Sequence, residues 1–93
     1  MKVNFDRNFI FLLKNQINYI SKDKPIAAKK FRSDLITNLK KDLQNPFNFK
    51  KSIYFDNEFI RDYIFKGYTI VYLINQDEDR VEIFEFIKHM QNL

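Results

Sequence analysis

Ninety-three residues leave room for one domain, 1–93, with one small core, since a chain of this size buries only about 60–68% of the surface it exposes when unfolded. A content of 45% hydrophobic and 17% aromatic residues excludes a disordered chain, and the lack of cysteine excludes disulfides, thiolate zinc sites and a cysteine nucleophile. Sixteen Lys and Arg against twelve Asp and Glu, a net charge of +4, favour nucleic acid, an anionic surface or an acidic protein as partner.

The longest apolar run, Phe9 to Leu13, is far short of the ~20 residues that span a bilayer, and no leader pattern precedes it, so the expectation is a soluble, cytoplasmic protein without a membrane partner. Lys2 to Phe5 alternates polar and apolar and predicts a short strand, with Asp6 placed to cap a helix. From Arg7 to about Lys22, Ile10, Leu13, Ile17 and Ile20 recur at three- and four-residue steps, the pattern of an amphipathic helix. Asp23, as N-cap with Pro25 in the first turn, predicts a second helix whose apolar stripe runs through Ala28, Phe31, Leu35 and Leu39 to Leu43, stopped by Asn45-Pro46.

After Pro46 the chain turns aromatic and β-branched. Ser52 to Phe55 reads as a short strand, Asp56-Asn57-Glu58 as a turn, and Phe59 to Phe65 as a strand. Lys66-Gly67 turns into Tyr68 to Asn75, apolar on both faces and therefore central. A last strand, Arg80 to Ile87, is expected to carry Val81, Ile83 and Ile87 on one face and Phe84 and Phe86 on the other. The fold class is α+β, ordered β-α-α-β-β-β, a small mainly antiparallel sheet with a two-helix hairpin packed on one face and the other face partly open to a partner.

Three segments carry a family resemblance: Ala27-Ala28-Lys29-Lys30-Phe31, the run from Phe59 to Tyr72 reading FIRDYIFKGYTIVY, and Val81 to Asn92 reading VEIFEFIKHMQN. Together they resemble the RelE/ParE superfamily of type II toxin-antitoxin toxins, and the preceding helical hairpin is closest to the ParE-like branch. The resemblance implies a toxin neutralised by a cognate antitoxin, expected to be acidic, and acting on DNA gyrase. The RelE-like branch implies instead an mRNA interferase working with ribosome and mRNA, and a third reading is a non-toxic binding module of the same descent. Thr69 and Met90 stand where the ribonuclease branch commonly has arginines, which favours the gyrase reading.

Metal-free RNA cleavage requires a base, an acid and cations around one phosphate. The candidates for that role are Arg61 and Arg80 as phosphate clamps and Glu85 and His89 for proton transfer. Lys29-Lys30 and Lys40-Lys41, eleven residues apart and so about 16 Å along one side of the second helix, form a basic stripe that Lys50-Lys51 extend, suited to nucleic acid or an acidic partner. Tyr54, Tyr63, Tyr68 and Tyr72 could stack on bases, but Tyr68 and Tyr72 share a strand face with Ile70 and Ile74 and are expected in the core. One histidine and one glycine support neither a metal site nor a phosphate loop, so no cofactor is expected.

Overall fold

Alternation and helical periodicity translate into seven elements in the computed structural model, which describes residues 1–89. Strand β1 (Lys2–Phe5) leads into helices α1 (Arg7–Ser21) and α2 (Pro25–Asp42). A single 3-10 turn, Pro46–Asn48, then precedes strands β2 (Ile60–Phe65), β3 (Tyr68–Asn75) and β4 (Arg80–Lys88). The strand order is β1-β4-β3-β2: β2, β3 and β4 form an antiparallel meander, and β1 joins the far side of β4 in parallel. The expected α+β architecture with a helical hairpin on one sheet face is therefore the observed one.

The face under the helices is fixed by β3. Tyr68, Ile70, Tyr72 and Ile74 alternate toward the hairpin and are buried against Phe9, Leu13, Leu35, Leu39 and Leu43. Aromatic rings tie the layers: Phe31 lies 5.2 Å from Tyr68, and Tyr68 stacks on Phe86 at 4.8 Å. The Tyr72 hydroxyl donates to the Pro46 carbonyl at 2.6 Å, which fastens the exit of α2 to the central strand. Tyr63 does the same one strand over, donating to Asp42 Oδ2. The Lys66-Gly67 turn has positive φ at both positions, 46° and 82°, the geometry that a two-residue hairpin needs to follow strand twist.

Four local expectations are corrected. Ile10 is 52% exposed, and Phe9 takes the core place. Leu13 keeps its expected place, and Ile17 and Ile20 stay half-buried, so the change is confined to the start of the stripe, where α1 packs against both α2 and β4. Asp23 does not cap α2: Lys24 occupies the N-cap, no side chain bonds the free amides there, and Pro25 opens the helix. Ser52 to Phe55 forms no strand. After one bridge, Lys51 with Arg61, the Ser52 hydroxyl takes the Tyr54 amide and Asp62 takes that of Ile53, so side chains compete successfully with a ladder.

The fourth correction concerns β4, where Val71 pairs with Glu85 but Tyr72 pairs with Ile83, leaving Phe84 as an extra residue in a bulge. The bulge reverses the alternation, so Phe86 joins Val81 and Ile83 on the helix side, while Glu85 and Ile87 turn away. Phe84 instead meets Phe55 edge-on at 5.4 Å. The segment after the Lys51 bridge thus crosses part of the second sheet face, and Val71 and Thr69 there are almost fully buried.

Leu35→Ala, at a fully buried site between hairpin and sheet, is expected to cost about 2–5 kcal/mol in urea unfolding. Burial pushes the Tyr63 phenol above its ordinary 10.0, helped by the Asp42 carboxylate; burial does the same for Tyr72, opposed by the charge of Arg61. A raised phenol pKa means that the folded state holds its protons more tightly, so this stability is intact below pH 10 and is lost as pH rises above it. The melting temperature is expected to fall from about pH 10 upward, and Tyr63→Phe/Tyr72→Phe to flatten that alkaline limb.

Candidate functional site

Cross-strand register arranges the sheet face turned away from the helices into rows. Asp62, Val71 and Glu85 lie side by side across β2, β3 and β4, and Ile64, Thr69 and Ile87 form the next row. His89 comes just past the end of β4, its amide donating to the Gly67 carbonyl and its Nε2 sitting 2.5 Å from Thr69 Oγ1. A cavity of about 570 Å³ opens here, lined among others by Lys50, Lys51, Tyr54, Asp62, Thr69 and His89. Asp62 is buried; its Oδ2 accepts the Ile53 amide at 3.0 Å, while its Oδ1 has no hydrogen-bond partner among the described residues. Lys51 is paired with Asp56 at 2.9 Å and holds that carboxyl below its usual range.

The candidates read from sequence divide between places. Glu85 and His89 share this face, although Glu85 Oε1 accepts the neighbouring Phe86 amide. Arg80 points to the same side from the opposite end of β4; nine residues at ~3.3 Å each separate it from His89 by roughly 30 Å. It pairs there with Glu78 at 2.8 Å and with Glu82. Arg61 lies on the helix side of β2, opposite Tyr72. Its Nε donates to the Glu58 carbonyl at 2.8 Å and its Nη1 to the Phe49 carbonyl at 2.9 Å, with the guanidinium 5.1 Å from the Phe47 ring. Both arginines are engaged in holding the chain together. Met90 lies outside the described residues.

The lysine pairs also separate. Lys29, Lys30, Lys40 and Lys41 are exposed on α2, with Lys30 bonded to Asp34 at 3.1 Å and Lys41 4.0 Å from Asp42. Lys50 and Lys51 stand on the other side of the sheet, at the cavity. A second, mainly apolar cleft of about 460 Å³ runs between α1 and α2 over Phe9, Ile10 and Leu13, rimmed by Lys14, Arg32 and Lys40.

Sequence reasoning alone singles out neither Asp62 nor Thr69 as part of a site. Their signal, period-two alternation facing His89, is hidden by the Phe84 bulge, which must be known before β3 and β4 can be aligned. Among the described residues, no group of three or more His, Cys, Asp or Glu side chains is placed to hold a metal ion, and no helix is long and apolar enough to cross a membrane.

Arg61→Ala is expected to destabilise the protein by about 1.5–3 kcal/mol, because two backbone carbonyls lose a charged donor. Arg61→Lys, whose single ammonium lacks the planar fork, is expected to recover less than half of that in the same denaturation assay.

No curated protein matches the chain by sequence. The family model of the ParE toxin of the type II toxin-antitoxin system, parDE, matches residues 3–93. With the open α+β sheet, the helical hairpin before it and a match that spans nearly the whole chain, the protein belongs to the ParE toxin family of type II toxin-antitoxin systems, whose members have an antitoxin partner.

Proposed function

We propose that this toxin acts by binding and inhibiting DNA gyrase and not by cutting RNA. The observation that carries the reading is the disposition of the two candidate arginines. Phosphoryl chemistry on RNA needs fixed cations around the phosphate while charge builds up. Arg61 is spent on the Glu58 and Phe49 carbonyls on the opposite sheet face, and Arg80 on Glu78 and Glu82 at the distant end of β4. Beside Glu85 and His89 stand Thr69, Ile64 and Ile87. Growth arrest would then result from a gyrase complex, with the antitoxin releasing it.

One observation favours the ribonuclease alternative. The cavity beside β2 brings His89, two lysines and the Tyr54 ring together, which are an acid-base group, cations and a stacking surface. The two readings part in a single experiment. Purified toxin added to gyrase and relaxed plasmid is expected to block supercoiling, while a translating extract keeps its mRNA intact. Unimpeded supercoiling would overturn the proposal, and codon-phased mRNA cuts lost on His89→Ala would establish the alternative.

A further inference from the structure

The helical hairpin holds the positive charge of the molecule. Residues 7–42 contain nine Lys and Arg against three Asp, a net charge of +6, whereas the remainder of the chain carries −2. Two of those three carboxylates lie beside the lysines: Asp34 pairs with Lys30 at 3.1 Å, with Lys66 4.0 Å away, and Asp42, which accepts the Tyr63 hydroxyl, lies 4.0 Å from Lys41; exposed pairs of this kind are weak and exchange readily for phosphate.

The outward side of α2, opposite the buried Ala28, Leu35 and Leu39, presents Lys29, Lys30, Ser33, Thr37, Lys40 and Lys41, all exposed. At about 100° per residue, Lys29 and Lys40 fall on one row and Lys30 and Lys41 on a second, with the rows roughly 100° apart. Ser33 and Thr37 lie between the rows, and the lysines within a row are about 16 Å apart.

We infer that this face of α2 binds duplex DNA, its two lysine rows contacting the phosphate backbones on either side of the major groove and Ser33 and Thr37 turned toward the groove floor. A helix about 10–12 Å across matches a groove about 12 Å wide, whereas the major groove of an RNA duplex is too narrow to admit it. A protein partner fits this surface less well. Interface cores are depleted in lysine and built on aromatic anchors, and among the described residues Ile26 is the one large apolar side chain on this face. Short hydroxyl side chains between lysines are the usual equipment for phosphate and groove contacts. Recognition of this kind is driven by counterion release and indifferent to sequence. It goes beyond gyrase inhibition and concerns DNA held by the toxin directly, so it is measured in the absence of gyrase.

The test is fluorescence anisotropy of the full chain with a labelled DNA duplex of about twenty base pairs, from 50 to 200 mM salt. With four phosphate contacts, log K against log salt is expected to have a slope near −3.6, a weakening on the order of a hundredfold across that range. Lys29→Gln/Lys30→Gln/Lys40→Gln/Lys41→Gln is expected to bind at least tenfold more weakly at 50 mM salt with a much shallower slope, and arginine at the same four positions to restore binding. Lys50→Gln/Lys51→Gln, on the other side of the sheet, is expected to stay within twofold of the unmodified chain. No measurable binding at 50 mM salt, an equal loss in both glutamine variants, or tighter binding to an RNA duplex of the same sequence would overturn the inference.

Discussion

The hydroxyl of Tyr72 is a buried donor in the centre of the molecule, and a buried donor left unpaired would cost about 1–3 kcal/mol. Its partner, the Pro46 carbonyl, stands where α2 ends and the chain turns toward the sheet. That one bond brings the hairpin, the central strand and the return segment to a common point. Much else depends on where the return segment must then run. Phe47 and Phe49 come within reach of Arg61, Lys51 bridges the outer edge of β2, and the residues beyond it are drawn across the second sheet face. The cavity around Asp62, Thr69 and His89 is the space left between that segment and the strands.

The fold also divides its chemistry by layer. Positive charge is concentrated on the hairpin, where lysines surround an apolar cleft and cover the outside of α2. The sheet side keeps most carboxylates, several of them fastened to arginine, lysine or backbone amides: Glu78 and Glu82 on Arg80, Asp56 on Lys51, Asp62 on Ile53. That division has a functional corollary for a small basic toxin. Of its carboxylates only Asp23, Asp34 and Asp42 lie within residues 7–42, which keep a net charge of +6, so a negatively charged molecule is steered to that side.

Most of this architecture is legible in the chain before any coordinates. The boundaries of β3, the stripe from Ala28 to Leu43 and the Lys66-Gly67 turn depend on local rules and stand as expected, while α2 ends at Asp42, ahead of the expected stop at Asn45-Pro46. Misreadings arise where a distant partner overrides a local preference. Phe9 displaces Ile10 because α1 answers to β4 as well as to α2. Ser52 to Phe55 has strand composition, but Asp62, nine residues beyond Ile53, captures the Ile53 amide. Arg61, a candidate phosphate clamp by its sequence, is found to donate to the Phe49 and Glu58 carbonyls, partners that no local rule announces. The bulge at Phe84 has no signature in composition, and it alone decides which side of the sheet Glu85, Phe86 and Ile87 occupy.

The only glycine of the chain sits at the tip of the β2–β3 hairpin, with φ of 82°, and its carbonyl receives the amide of His89. A side chain placed there would meet no neighbouring atom, so the restriction is purely one of backbone handedness. Lengthening that tip by even one residue would lift the acceptor away from the end of β4 and unseat the imidazole from Thr69. The seat of the histidine therefore depends on a two-residue loop, which couples insertion tolerance at one end of the sheet to the geometry of a side chain twenty-two positions downstream.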